Sequence, residues 1–422
     1  MLGVSAAALA IIASSHALLL SCPGVPASLY SYETAPGWSY VKVAGGLHSP
    51  RDLIFDSQGR LLIVEEGVGL SQHIVDANGC ITDTRLLISN VDLNHGICLS
   101  ADGKTLYASS PSSVFSWTYD STTGAVGQNP ALVISGMATS GHSTRTLAVP
   151  PHPADLLVIS HGSNANIDQE ASNPKTARAI VKVFNVSSVP TGGYRFASQG
   201  WNAGFGLRNE VGLAFDGNNM LWGVENSADN LVRTVNGTTT DVHTDNPSEE
   251  LNYLGDVAHA NNNWYGYPVC FTVWSPGELP DRVFQVGQQF VQVPLTHFND
   301  DTCAQVSVPP VLSFQAHSAP LGCKFDAKFS NLFVAMHGSW NRQPPTGYKV
   351  VAVPFAQLPD GSHAPTAAPW SARGSIDVFY PPDETQCSSS TCIRPVGLAF
   401  DVAGRLYVTS DTSGEVFMLS QS

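Results

Sequence analysis

The stretch VGLAFDGNNMLWGVEN, residues 211–226, decides how this chain folds. It reads as a short apolar strand, a turn rich in Asp, Gly and Asn, and a second apolar strand, which is the pattern of a β-hairpin. Working outward, the same pattern returns as RDLIFDSQGRLLIVEE from Arg51 and HGICLSADGKTLYASS from His95. It continues as RTLAVPPHPADLLVISHG from Arg145, LGCKFDAKFSNLFVAMHG from Leu321 and VGLAFDVAGRLYVTSD from Val396. A hairpin repeated at intervals of this order is the signature of a propeller. We therefore expect an all-β chain, a six-bladed β-propeller with four-stranded antiparallel blades. The outer strands fall between the copies, in segments such as Ser113–Tyr119 and Tyr348–Val353. The long interval from Val211 to Leu321 has room for a seventh blade, but it reads as one blade with insertions around Trp264–Asp301. Closure pairs a strand near Ser39–Val43 with the last blade.

Composition agrees. Charged residues are 13% of 422, while Gly (37) and Pro (28) supply turns. The formal charge is −14, with no basic block, so nucleic acid is excluded as a partner. Met1 to about Ser21 is rich in Ala, Leu and Ile and lacks acidic and basic side chains, so residues 1–21 read as a secretory leader and 22–422 as a single propeller domain. No other apolar run is long enough for a membrane anchor. Eight cysteines without a CxxC pair point to disulfides rather than zinc. Cys387–Cys392 and Cys270–Cys303 are plausible bridges, and the other pairings stay open. Sequons at Asn185 and Asn236 agree with export; Asn246 is blocked by Pro247.

In a propeller the first hairpin strand leaves the mouth of the axial channel and the second returns to it. Residues before the first strand and after the second therefore share one rim. Before the strands stand Arg51, Asn94-His95, His142 with Arg145, Arg208-Asn209, His317 and Arg394. After them stand Glu65-Glu66, Ser109-Ser110, His161, Glu225-Asn226, His337 and Ser410-Asp411. Any one of these has an ordinary structural reading, and Arg51 with Glu65 reads as a simple ion pair. Together, Arg and His aimed into one concavity call for an anionic ligand, and guanidinium forks suit carboxylates.

The runs His142-Ser-Thr-Arg-Thr-Leu147, Gly206-Leu-Arg-Asn-Glu-Val-Gly-Leu-Ala-Phe215, His337-Gly-Ser-Trp-Asn-Arg342 with Thr346-Gly-Tyr-Lys-Val350, and Arg394-Pro-Val-Gly-Leu398 resemble the soluble quinoprotein glucose/sorbosone dehydrogenase superfamily. More narrowly, they resemble its fungal pyrroloquinoline quinone (PQQ) dependent pyranose dehydrogenases. The resemblance implies a propeller that binds PQQ and calcium and oxidises a sugar at the anomeric carbon. By position it makes His142 the general base and sets Arg208 against the quinone oxygens. It puts Asn209, His337, Trp340, Asn341, Arg342 and Arg394 around the cofactor, with the ring members Arg51, His95 and Arg145. Calcium would be held by Glu225, Asn226, Ser227 and Ala228. That segment lacks the Gly-Pro of the bacterial glucose enzymes, and the His337–Arg342 run lacks their cofactor lysine, which favours the fungal branch.

The loops Trp264–Asp301 and Asn164–Arg178 would wall the sugar pocket. With the length taken up by the propeller, no haem domain is expected. Electrons would then pass to an external acceptor, a secreted cytochrome or a lytic polysaccharide monooxygenase, from a monomer. Two other readings stand beside this one. A calcium-dependent, lactonase-like hydrolase would use Glu65, Glu225 and Asp411 as a cage, against which the abundance of Arg and His weighs. A purely binding propeller would carry no cofactor.

Overall fold

The computed structural model describes residues 21–421, so the expected leader lies outside the described residues apart from Ser21. Six blades surround one axis. The first consists of Pro50–Phe55, Leu61–Glu65, Gly69–Val75 and Ile81–Ser89. The second consists of Ile97–Leu99, Thr105–Ser109, Ser113–Asp120 and Ala131–Ser135, and the third of Leu147–Ala148, Leu156–His161, Ile180–Asn185 and Trp201–Phe205. Blade four is Glu210–Phe215, Leu221–Glu225, Glu249–Gly255 and Leu312–Phe314; blade five is Pro320–Phe325, Asn331–Met336, Lys349–Gln357 and Ile376–Tyr380. Blade six takes three strands from Pro395–Phe400, Leu406–Ser410 and Glu415–Gln421, and its fourth from Trp38–Ala44. Each repeated hairpin supplies the two strands nearest the axis, and those innermost strands neighbour one another in a closed ring.

The turn residue that marks the repeat has a definite task. Asp56 Oδ1 accepts the N–H groups of Gln58 and Arg60, Asp216 those of Asn218 and Met220, and Asp401 those of Ala403 and Arg405. The carboxylate thus replaces the partners that a tight turn takes from its backbone. Two blades gain a short edge strand: Tyr194–Arg195 runs parallel to blade two, and Glu33–Thr34 antiparallel to blade five. No seventh blade lies within blade four. Its long insertion holds a ribbon, Cys270–Thr272 with Gln289–Val291, and a helix, Asp300–Val306, clamped by the Cys270–Cys303 disulfide. Buried Arg233 ties this unit together through Asp281 and Asp300. Cys387–Cys392 and Cys22–Cys80 are also bridged, while Cys98 and Cys323 are buried thiols.

The seam between chain ends is held by a buried pair. Lys42 Nζ lies 2.8 Å from Glu415 Oε1, and that oxygen also accepts Leu29 N–H at 3.0 Å. Removing one partner leaves the other charge stranded in the interior. Glu415→Ala is expected to lower stability by about 3 kcal/mol; a urea midpoint unchanged from wild type would show that the seam does not depend on this pair.

Candidate active site

Two clusters occupy the mouth. In the first, Arg51 Nη1 lies 2.5 Å from Asp411 Oδ2, and His337 Nε2 lies 3.0 Å from both oxygens of the same carboxylate. Arg394 donates to the carbonyls of His337 and Gly338, at 3.0 and 2.9 Å, and lies over the Tyr348 ring. Burial works to raise the Asp411 pKa, but His337, Arg51 and Arg394 overcome it and hold the carboxyl well below the usual range. His95 is buried beside this pair. Burial, reinforced by Arg51, keeps it neutral, and its Nδ1 has no partner. Arg51 Nε is likewise unpartnered.

The second cluster centres on Arg208 and His142. The Arg208 side chain donates to Asn166 O (3.1 Å), Asn166 Oδ1 (2.9 Å), Asn226 O (3.1 Å) and Asp229 Oδ2 (3.1 Å). Asp229 also accepts from Asn341 Nδ2 at 3.0 Å and stands 3.6 Å from His317 Nδ1. His317 Nε2 donates to His243 O; burial opposes its charge, but Asp229 and Glu249 overcome that and raise its pKa. His142 is set differently. Its Nδ1 is 3.0 Å from Ser163 Oγ and 3.1 Å from Ser163 O, and the hydroxyl hydrogen is spent on Ala165 O at 2.7 Å. Both oxygens can only accept, so Nδ1 carries the proton and Nε2 keeps its lone pair. Burial, then Arg208, lowers the His142 pKa to about 4. Gly162 makes this packing possible: a Cβ there would come within 2.6 Å of His142 Cβ and 2.7 Å of Asn209 Oδ1.

Several expectations change. Arg145 is fully buried and donates to the carbonyls of Pro111, Ala138, His142 and Thr144, so it braces the loop that presents His142 and does not face a ligand. Arg342 is spent on Thr244 O, Pro344 O and Asp245 Oδ1 and ties the loop of residues 337–347 to blade four. The rim is a mosaic of paired groups rather than a bare cationic ring, because guanidinium groups this buried need carboxylate or carbonyl partners. Arg51 pairs with Asp411, not with Glu65, whose carboxylate binds His48 N–H. Trp340 is 71% exposed, with its ring open to solvent. Asp229, Asn166 and Ser163 were missed. Asp229 carried a readable signal, since it follows a second strand just as Asp411 does.

In the expected calcium segment the side chains have other partners. The Glu225 side chain turns into blade four, where it accepts Arg208 N–H at 2.7 Å and Asn252 Nδ2 at 3.2 Å. The Ala228 side chain packs in a hydrophobic cluster. Ser227 N–H is held by Glu249 at 2.6 Å. What the segment offers a cation is main-chain oxygen, and the Asn226 carbonyl faces the Arg208 guanidinium. An oxygen-only donor set fits calcium rather than zinc. Among the described residues no three His, Cys, Asp or Glu side chains converge as a metal cage. Glu65, Glu225 and Asp411, on which the hydrolase reading relied, lie in three separate environments. A void of about 490 Å³ is the axial channel beneath the mouth, with His95, Asp52 and Lys324 on walls that are otherwise largely apolar.

Fold and site together define a six-bladed propeller with an ion-paired polar mouth that presents a neutral histidine next to a fixed arginine. The chain belongs to the TrAA12-like family, whose model matches residues 32–422. A pyrroloquinoline quinone-dependent pyranose dehydrogenase of Coprinopsis cinerea is 40% identical over 409 residues; these cover 95% of this chain, which spans only 56% of that relative's length. A pyrroloquinoline quinone-dependent sugar dehydrogenase of Hypocrea jecorina (strain QM6a) is 37% identical over 400 residues, covering 92% of this chain and 89% of that one. Among solved structures, the holo form of the pyranose dehydrogenase PQQ domain of Coprinopsis cinerea superposes with a TM-score of 0.93 at 40% identity, covering 95% and 100% of the two chains. The calcium structure of the Trichoderma reesei family AA12 enzyme gives 0.87 at 37% identity, covering 94% and 98%.

Behind Arg208, Glu210, Glu225 and Glu250 line up on three adjacent strands of blade four, all buried, and among the described residues no cationic side chain is hydrogen-bonded to them. Burial raises all three pKa values, that of Glu250 to about 7. An acid whose folded-state pKa is raised costs stability once the unfolded chain begins to ionise. For Glu250 the cost starts near pH 4.5 and is complete near pH 7. Glu250→Gln removes it. The stability gap between variant and wild type is expected to open over that window, by roughly 1 kcal/mol per pH unit, and then level off. Urea midpoints that run parallel from pH 4 to 8 would contradict this.

Proposed function

We propose that the chain is a secreted quinoprotein oxidoreductase that oxidises an aldose or pyranose at the anomeric C1 hydroxyl or a nearby carbon. The observation that carries this reading is the state of His142. It is neutral, its Nδ1 proton is fixed by Ser163, and its Nε2 lone pair is available beside Arg208. Such a histidine removes a hydroxyl proton. Arg208, locked by Asn166, Asn226 and Asp229, presents fixed positive charge where negative charge develops.

The unmet donor at Arg51 Nε, with Arg394 on the same rim, fits a ligand carrying several carboxylates, as PQQ does. Trp340 offers an open ring face for a planar ligand. Calcium would be held by main-chain oxygens of Asn226, Ser227 and Ala228. Bound there, PQQ supplies the hydride acceptor and calcium a Lewis acid beside it. The sequence relation to the Coprinopsis and Hypocrea enzymes supports the cofactor and the sugar substrate. Residues 1–21 are proposed as a leader and 22–422 as one propeller domain, a monomer that passes electrons to an external acceptor such as a secreted cytochrome or a lytic polysaccharide monooxygenase.

The test reconstitutes the protein with PQQ and calcium and follows reduction of an artificial acceptor as aldoses are added. Wild type turns over, a chelator abolishes turnover and calcium restores it. His142→Ala keeps PQQ binding but loses about 10²–10⁴ in kcat. Undiminished turnover in that variant would remove His142 as the base. Because the base works only when neutral, kcat/KM should rise with pH up to about 4 and be flat above it. A continued rise in kcat/KM between pH 5 and 8 would contradict the assignment.

A further inference from the structure

We propose that Asn236 is an N-glycosylation site, so that the hairpin standing next to the pocket carries a glycan at its tip; this rests on the secretion reading. The hairpin consists of Val232–Val235 and Thr238–Asp241, paired in register from Val232↔Asp241 to Val235↔Thr238. Asn236 and Gly237 form its two-residue turn, with φ of 51° and 80°, the left-handed values that suit Asn-Gly. Asn236, Gly237 and Thr238 are all exposed. Their sequon therefore lies at the outermost point of a projecting ribbon, where a bulky sugar meets solvent rather than protein.

The ribbon is rigid at its base. It leaves the mouth just after Asp229, which holds Arg208, and returns at His243 and Asp245, which hold His317 and Arg342. Arg233, in its first strand, is buried against Asp281 and Asp300. Only the tip is free, so sugar there extends away from the groups that shape the pocket.

The second sequon contrasts with this one. Asn185 closes a strand of blade three and is half-buried. Its Nδ2, the atom that would carry sugar, donates to Asp155 Oδ2 at 3.1 Å. Its Oδ1 accepts both the N–H and the hydroxyl of Ser187, at 2.9 and 2.6 Å. Its amide is thus committed within the blade, and the assignment falls on Asn236.

The full chain is expressed in a yeast host in two forms, one with its own N-terminus and one behind a host secretion leader, and intact masses are read before and after endoglycosidase. The leader-driven form enters the secretory path whatever the native N-terminus does, so it tests the site by itself; failure of the native form alone bears on the secretion reading. The expected result is a sugar-bearing protein whose glycan maps to the peptide containing Asn236. It is lost in Asn236→Gln and in Thr238→Ala and kept in Thr238→Ser. Secreted protein without sugar at Asn236, or with sugar on Asn185 alone, overturns the proposal.

Discussion

The mouth of this propeller depends on the cost of burying a guanidinium group. Six pairs of strand ends converge on one axis, and the sequence places arginines at several of them. A charge so enclosed survives only with a carboxylate or a set of carbonyls against it. Asp411 meets Arg51, Asp229 meets Arg208 and Asp245 meets Arg342, while Arg145 and Arg394 are taken up by carbonyls. Arg51–Asp411 and Arg342–Asp245 join segments far apart in sequence, so the electrostatic solution at the mouth also ties its loops together. Asp229 is the clearest case: it holds Arg208, at the entry to blade four, and Asn341 and His317, which belong to blade five.

The same constraint prepares the site for chemistry. Arg208 is spatially fixed, so in the proposed reaction its charge needs no rearrangement. Burial and the nearby Arg208 keep His142 unprotonated, and Ser163 decides which nitrogen is free. Behind Arg208, three buried glutamates put polar groups where a hydrophobic layer would be more stable. Their visible service is that Glu225 receives the Arg208 N–H and Asn252 bridges Glu225 to Glu210.

The blade hairpins were legible because their physics is local. A strand, an Asp that accepts turn N–H groups and a second strand leave the same mark wherever they occur, and the seam strand near Ser39–Val43 followed from the need to close the ring. The rim residues were legible as positions, since strand polarity puts them there. Their directions were not. Arg145 and Arg342 occupy rim positions yet point into carbonyl cages, and nothing in a strand pattern tells a guanidinium facing a ligand from one facing a loop. The segment after the second strand of blade four was legible as a rim position, but the turn of Glu225 into its blade depends on cross-strand neighbours, Glu210 and Asn252. Asp229 was passed over because two of its partners, Asn341 and His317, come from blade five, about 90–110 residues on in the chain.

The central claim is that this ion-paired mouth accepts one multiply anionic planar quinone. Equilibrium titration of the apo-protein with PQQ in calcium buffer, followed by quenching of tryptophan emission, tests it most directly. The account predicts saturation at one PQQ per chain, with affinity weakened at least tenfold in Arg394→Ala and little changed in Asn236→Gln. No saturable binding to folded protein, or equal affinity in wild type and Arg394→Ala, would contradict it.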